Sequence, residues 1–394
     1  MAKRRGHNEG SVYKHRDKWV ASVSYKDVGG ESRRVSKTCA TRKEANEAKI
    51  ALLAQRQAGA DLTPSRQTVG DFVAEMLTKH FTGDESTREG YARFMRLHVY
   101  PYPVGRAELS SLTPKMLADH YYRLRTAARE PLPGEGARKP LSKRSVQLVH
   151  AILHKQLEQA VRWGIIPKNP ADGAVVPRPD KHDVEILEPP QRAALLDAAR
   201  GDPLEAFYVV AVGSGMRLSE LMGLRWSDVT WPRGRRPGTL TVCKQAKRTK
   251  AGGLHLDDTK TDRPRAIPVV PTVIAALSAH RERQARQREA ATAWVDLDLV
   301  FPNERGGLME KSNHHNRQWK PLVRRAGLPA ATTFHALRHT FATHCLQQGI
   351  DITTVQTWLG HSTPKMLLEV YAHYIPAHGE AQLERLSGLF GDAM

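Results

Sequence analysis

The sequence predicts a multidomain protein that is mainly α-helical and carries small antiparallel β-sheets. A length of 394 residues normally corresponds to two or three domains. Segments near the N-terminus and around residues 239–269 alternate polar and apolar residues with the period of strands, whereas longer segments repeat apolar residues at helical spacing. The stretch 164–190 contains six prolines, and because proline interrupts helices, we expect a domain boundary there.

The charge of the chain indicates its class of partner. The formal net charge is +19, with a sequence pI near 10.0, and such an excess favours a polyanion, most often nucleic acid. No apolar run approaches the 18 residues of a membrane span, and the charged first residues are not a secretory signal. Three widely spaced cysteines are typical of free thiols. We therefore expect a cytoplasmic, nucleoid-associated protein with no membrane partner.

Residues 1–60 are predicted to form a basic module, a three-stranded sheet with one helix. Residues 19–25 alternate as a strand with one buried face, residues 28–30 are turn formers, and residues 33–37 continue as the next strand. Thr41 and Glu44 have the spacing of a capping box, which predicts a helix to about residue 57.

Two interpretations of this module remain open. It is either a solubilising extension or a DNA-contacting module in which strand residues such as Arg33 and Lys37 enter a groove. We favour the second.

Residues 67–177 are predicted to form a helical domain. Apolar residues recur at helical spacing up to residue 163, and the clearest stripe lies in residues 146–160. Residues 129–143 hold prolines and glycines and are expected to be a loop. The basic residues of that region either flank a DNA backbone or are simply solvated. They are Arg138, Lys139, Lys143 and Arg144.

Residues 183–394 are predicted to form a mixed α+β domain. Two strands are expected, at residues 239–242 and 265–269, within a small antiparallel sheet. The helices are expected near residues 190–200, 203–214, 271–291, 313–326, 335–348 and 351–359.

This last domain also contains a set of residues suited to phosphate chemistry. Arginine pairs bind phosphate, histidines move protons, and a tyrosine hydroxyl can attack phosphorus. Glu220 lies one turn after the first arginine and is expected to hold its guanidinium. The set suggests an enzyme that cuts and rejoins DNA without a metal. Its members are Arg217, His335, Arg338, His361 and Tyr371.

The histidines around Arg338 admit a second interpretation. His335 and His339 have the i, i+4 spacing of two zinc ligands, but Ala336 stands where the zinc-protease pattern needs a glutamate. We therefore predict no metal, with His335 and Arg338 sharing a helix face and His339 as a buried structural histidine.

Four sequence boxes resemble those of the tyrosine recombinase (phage integrase) family. They are Gly-Met-Arg217-Leu-Ser-Glu-Leu, His335-x-x-Arg338-His-Thr-Phe, Leu-Gly-His361-Ser and Val-Tyr371-Ala-His. The resemblance is strong over residues 180–380. Residues 67–180 are more weakly similar to the family's helical core-binding (SAM-like) domain, and residues 1–60 resemble the arm-type DNA-binding module of phage and conjugative-element integrases.

The resemblance implies a role for each residue. Tyr371 would attack a backbone phosphorus of duplex DNA and form a 3′-phosphotyrosyl bond, without ATP or any cofactor. Arg217, Arg338 and His361 would bind the phosphate, and His335 would accept the tyrosine proton. A hairpin lysine would protonate the leaving 5′ oxygen. Lys260 is our assignment for that lysine, and Lys250 is the alternative.

The resemblance also implies partners. The protein would act at double-stranded attachment sites as a homotetramer, helped by DNA-bending and directionality proteins, to integrate or excise a mobile element. An apolar stripe at Leu383, Leu386, Leu389 and Phe390 would pack on its own domain or on a neighbour. A chromosome dimer-resolving recombinase, a type IB topoisomerase and a non-catalytic DNA-binding regulator remain the alternatives.

Overall fold

A computed structural model describes residues 10–26, 31–57, 67–126, 139–180, 184–259 and 264–360, together with Tyr371. The chain divides into two compact units, one within residues 1–181 and one within residues 182–394. The predicted fold class is confirmed, since the described part is mainly helical with small antiparallel sheets. The predicted three-domain boundaries at residues 60, 67, 177 and 183 stay a prediction.

The first unit begins with the three-stranded sheet and helix that the sequence predicted. The strands are β1 (Ser11–His15), β2 (Lys18–Lys26) and β3 (Ser32–Cys39), in spatial order β1-β2-β3, followed by helix α1 (Arg42–Gln57). Glu44 accepts a hydrogen bond from the Ala40 amide and Thr41 accepts one from the Glu44 amide, as in the predicted capping box. Val23 and Tyr25 pack with Val35, Leu52 and Leu53.

The sheet register changes the expectation for the basic residues of β3. Val23 pairs with Val35 and Ser22 with Ser36, so alternate residues of β3 lie on opposite faces. Arg33 and Lys37 share the face of Val35, which α1 covers, although both are exposed. Arg34 shares the opposite face with Ser36.

The rest of the first unit is helical, as predicted. Its helices are α2 (Val69–Lys79), α3 (Glu85–His98), α4 (Pro103–Arg106), α5 (Pro114–Thr126) and α6 (Lys143–Arg162), with a 3-10 turn at Leu109–Ser111. The predicted stripe of α6 is buried in one core with residues of α2, α3 and α5. Lys139 and Arg144 are exposed, Lys143 bonds to Asp180, and Arg138 lies outside the described residues.

The second unit contains the remaining elements. Its strands are β4 (Val229–Thr230), β5 (Gly238–Val242), β6 (Lys244–Thr249), β7 (Gly253–Asp258) and β8 (Arg265–Val269). Its helices are α7 (Pro189–Ala198), α8 (Glu205–Ser214), α9 (Leu218–Met222), α10 (Pro271–Ala290), α11 (Lys311–His314), α12 (Lys320–Arg325), α13 (His335–Gln347) and α14 (Ile352–Leu359). A 3-10 turn lies at Trp226–Asp228 and a π turn at His315–Trp319.

Two features of this unit were not given by the apolar pattern. Strands β6 and β7 form the hairpin that the family resemblance implied, and its residues are largely polar, with Ala246 and Thr249 buried in β6. The predicted helix 313–326 contains the π turn, which ends on the buried Trp319, whose indole donates to the Thr332 carbonyl. Strands β4, β5 and β8 form a separate antiparallel sheet.

Candidate active site

The turn that presents the first predicted arginine is built around a glycine. Helix α8 ends at Gly215, which has a φ of +62°, and the chain then reaches Arg217 immediately before α9. A Cβ on Gly215 would lie 2.5 Å from Cδ1 of Phe341, so both the backbone angle and the space favour glycine. The Gly215 carbonyl accepts a hydrogen bond of 2.9 Å from Nη1 of Arg338, which links the two predicted arginines through this turn.

Glu220 is a buried carboxylate that holds two arginines. Its Oε1 accepts from Nη1 of Arg217 at 2.8 Å, as the i, i+3 spacing predicted, and its Oε2 accepts from Nη2 of Arg265 at 2.5 Å. Burial raises the pKa of Glu220, but the hydrogen bond and charge of Arg265, together with Arg217, outweigh it, and the pKa lies below its ordinary value. Glu220 is therefore ionised at neutral pH.

The C-terminal end of α14 is where the arginines meet. Helix C-termini leave carbonyls without intrahelical partners and carry partial negative charge, which favours cations. Three consecutive carbonyls each accept a hydrogen bond from a different guanidinium. The pairs are Trp358 O with Nε of Arg265 at 2.7 Å, Leu359 O with Nη2 of Arg338 at 2.5 Å, and Gly360 O with Nη2 of Arg217 at 3.2 Å.

The two predicted phosphate-binding arginines therefore lie at one place, but they differ in exposure. The side chain of Arg217 is 41% exposed, whereas Arg338 is 2% exposed. Burial, together with the charge of Arg217, lowers the pKa of Arg338 to about 9, which still leaves it a cation at pH 7. Two nearby guanidinium groups, one of them desolvated, form a favourable environment for an anion.

Tyr371 is buried against the same helix. It is 2% exposed and packs with apolar residues of α13 and α14, among them Ala342, Val355 and Leu359. Its hydroxyl forms a short hydrogen bond with Nδ1 of His339. A potential nucleophile and a potential proton acceptor are thus in direct contact.

The structure corrects the expectation for His339, whereas the role expected of His335 stays a prediction. His339 was predicted to be a buried structural residue, but it is half-buried and contacts the tyrosine hydroxyl. His335, the predicted proton acceptor, is more exposed, and its ring lies edge-on to that of His339, with centroids 4.5 Å apart. Burial and the charges of Arg338 and Arg217 lower the pKa of His335.

Two predicted site residues, Lys260 and His361, lie outside the described residues, as does the apolar stripe of residues 383–390. The alternative lysine, Lys250, is exposed in the turn between β6 and β7. Among the described residues, no group of three or more histidines, cysteines or acids is placed to hold a metal ion. In that same part of the chain, no helix combines the length and apolar character needed to cross a bilayer.

Sequence reasoning missed Arg265 and the contact of His339. Arg265 is buried at the start of β8 on the strand face of Ile267 and Val269, so the alternation in residues 265–269 was a sequence signal for a charged residue on a buried face. Its partners Glu220 and Trp358 are 45 and 93 residues away, which no local pattern reveals.

A buried tyrosine, two convergent arginines and adjacent histidines on this mixed α+β unit define a tyrosine-type DNA recombinase. Comparison with known proteins agrees. The phage integrase family profile matches residues 185–378. An integrase of Streptomyces ambofaciens is 28% identical over 95% of this chain and 95% of its own length. A XerC-like tyrosine recombinase of Caldanaerobacter subterraneus is 27% identical over 63% of this chain and 67% of its own length.

Solved structures give the same result. The Tn1549 transposon integrase, in complex with a circular intermediate DNA, superposes with a TM-score of 0.66 at 25% identity, covering 81% of this chain and 99% of that one. A lambda integrase dimer bound to a core site shares the fold at 18% identity, with a TM-score of 0.55 over 80% of this chain and 97% of that one. Residues 185–378 belong to the phage integrase family of tyrosine recombinases, which are site-specific recombinases.

Proposed function

We propose that this protein is the integrase of a mobile element and that it cuts and rejoins duplex DNA at attachment sites through a 3′-phosphotyrosyl link to Tyr371. One arrangement carries the proposal. Arg217 and Arg338 both donate hydrogen bonds to carbonyls at the C-terminal end of α14, and the Tyr371 hydroxyl is hydrogen-bonded to His339 of α13, the helix that also carries Arg338.

The chemistry follows from these groups. Attack on a phosphodiester builds negative charge on the non-bridging oxygens, and Arg217 and Arg338 supply N–H donors that stabilise it. The phosphotyrosyl bond conserves the energy of the broken bond, so the strand is religated by the reverse reaction. By resemblance, Lys260 protonates the leaving 5′ oxygen, and His361 donates to the phosphate. His335 borders the phosphate site.

The assignment to a mobile element rests on full-length similarity. The Streptomyces integrase matches across 95% of both chains, including the N-terminal region, whereas the XerC-like match covers 63% of this chain. The Tn1549 neighbour is a transposon integrase bound to DNA. These likenesses favour integration and excision over chromosome dimer resolution as the role of this chain.

The N-terminal sheet adds a second DNA contact to the proposal. Its face opposite α1 carries Arg34, with Tyr13 on β1, which is 42% exposed. A sheet face with an arginine and an aromatic side chain suits a DNA groove. We assign this face to arm-type sites, and the helical region of residues 67–177 to the core site.

Strand exchange between two duplexes requires four active sites, so we propose a DNA-bound homotetramer, with bending and directionality proteins as accessory partners.

The decisive experiment is covalent trapping. A duplex carrying the attachment sequence, recovered from the direct repeats that flank the element in its host chromosome, is nicked next to the scissile phosphate so that cleavage cannot reverse. The wild-type protein should become covalently linked to the DNA. Tyr371→Phe should bind the same duplex and form no adduct, with Tyr374→Phe as the matched control. An adduct from Tyr371→Phe would remove Tyr371 as the nucleophile.

Deletion of residues 1–60 separates the proposed role from dimer resolution. A mobile-element integrase should lose recombination of sites that contain arm sequences, while cleavage at an isolated core site persists. Full recombination by the truncated protein would favour a dimer-resolving enzyme. Relaxation of supercoiled DNA without any attachment site would favour a type IB topoisomerase instead.

A further inference from the structure

One side chain that contacts the tyrosine hydroxyl is His339, one residue after Arg338. Its Nδ1 bonds to Oη of Tyr371, and the two rings have centroids 5.8 Å apart. Because Tyr371 is 2% exposed, bulk water has little access to the hydroxyl. A proton leaving Tyr371 therefore needs a protein group beside it.

His339 is in the right protonation state to receive that proton. Burial, together with the charges of His335 and Arg338, lowers the pKa of His339 to about 4. The imidazole is therefore neutral at pH 7, and in the tautomer protonated at Nε2 its Nδ1 accepts the phenol O–H.

We propose that His339 is a catalytic residue, the proton acceptor of Tyr371. As Oη forms its bond to phosphorus, the O–H bond breaks and the proton moves to Nδ1 of His339. The bond from phosphorus to the 5′ oxygen breaks, and that oxygen takes a proton from Lys260 or from solvent. In religation the 5′ hydroxyl attacks, and the tyrosine oxygen recovers its proton from His339. This assignment rests on the proposed function.

The proposed proton transfer also depends on the charges around His339. In the free protein, burial and the neighbouring charges of His335 and Arg338 disfavour a positive charge on His339, so the imidazole is a weak base. A phosphodiester bound between Arg217 and Arg338 brings a negative charge that offsets these charges, and the imidazolium then becomes favourable. Proton transfer is thereby coupled to the presence of the scissile phosphate.

His335 is less suited to this step than its place in the sequence suggests. It is the more exposed of the two histidines. Its edge-on contact, with centroids 4.5 Å apart, orients His339 and adds to the charges that keep it neutral.

The test uses His339→Asn in the full-length protein. Asparagine places an amide oxygen near the position of Nδ1, so the hydrogen bond to Tyr371 is kept while the basic group is lost. The assay is the rate of covalent trapping on the nicked attachment duplex, once with a normal scissile phosphodiester and once with sulfur in place of the 5′ bridging oxygen. His344→Asn is the matched control, because His344 is an exposed histidine five residues further along α13.

A proton acceptor predicts a specific pattern. His339→Asn should trap at least about 100-fold more slowly than wild type, the lower end of the usual general-base effect. The sulfur substrate should not restore the rate, because a thiolate leaves without a proton donor but the tyrosine still needs a base. The variant's rate should rise with pH as hydroxide replaces the base. His339→Ala should recover partially with added imidazole.

Several results would overturn the assignment. A trapping rate for His339→Asn within threefold of wild type, or above it, would mean that the hydrogen bond only positions Tyr371 in the free protein and transfers no proton. Full rescue by the sulfur substrate would make His339 a proton donor to the leaving group. If wild type forms no adduct, the proposed function itself fails, whereas normal trapping by both proteins defeats the role of His339 alone. DNA affinity by gel shift controls for misfolding, and if His339→Asn misfolds, imidazole rescue of His339→Ala decides.

Discussion

Replacing Glu220 by glutamine tests whether one buried carboxylate organises the arginines of the active site. Glutamine keeps the shape and one acceptor oxygen but removes the charge that faces Arg217 and Arg265. The side chains of Glu220 and Arg265 are 3% and 7% exposed, so the remaining arginine is left as a cation with almost no access to water. We expect loss of both stability and activity.

The magnitude follows from burial. Removing one partner of a buried ion pair costs about 3–5 kcal/mol, because the remaining charge is uncompensated. For a domain of 150–250 residues each kcal/mol lowers Tm by roughly 2–4 °C, so we expect a decrease of roughly 6–20 °C. The exposed pair of Glu205 and Arg283, with atoms 3.8 Å apart and side chains about one-third exposed, should contribute at most about 1 kcal/mol.

The assay is thermal unfolding followed by tryptophan fluorescence, since most of the chain's seven tryptophans lie in the second unit. Glu220→Gln is compared with wild type and with Glu205→Gln, which keeps an acceptor for the Gly201 amide. Covalent trapping on the attachment duplex is measured on the same samples at a temperature where all are folded. A Tm within 2 °C of wild type would refute the view that Glu220 is the counter-charge of this site.

The pH dependence provides an independent check. The folded pKa of Glu220 is lowered, so its contribution is fully present above the unfolded pKa of about 4.3 and is lost as pH falls through the folded value. The difference in stability between wild type and Glu220→Gln should therefore be constant from neutral pH to about pH 5 and should shrink in stronger acid. A difference that grows on acidification would contradict the assignment.

Three further predictions concern other parts of the protein. Gly215→Ala should lower stability by more than the roughly 1 kcal/mol expected from backbone strain, because its Cβ meets Phe341, whereas Gly201→Ala, with a φ of +72° and open space, should show the strain alone; equal Tm shifts would contradict this. Arg34→Ala should weaken binding to arm-site duplex in a salt-dependent way, and Arg33→Ala should weaken it less; the reverse order would mean that the helix-covered face meets DNA. Covalent trapping should persist in EDTA, and strong inhibition would revive the metal interpretation.

The sequence predicted the parts of the fold that depend on local patterns. The alternation in residues 19–25 and the capping box at Thr41 predicted the N-terminal sheet and α1, and the stripe of residues 146–160 predicted the buried face of α6. The hairpin of β6 and β7 was expected only from the family resemblance, because its mostly polar residues show little of the alternation that marks a strand.

Sequence alone determined that this is a basic, mainly helical protein with the boxes of a tyrosine recombinase, because residue types and their spacing are properties of the chain itself. Tertiary structure decided which groups meet. Arg217, Arg265 and Arg338 converge on three consecutive carbonyls at the C-terminal end of α14 from positions up to 143 residues away, and His339 reaches the Tyr371 hydroxyl. The physical reason is that the carbonyls at a helix end and a buried carboxylate accept hydrogen bonds from any donor side chain that packs within reach. Packing brings residues together without regard to their separation along the chain.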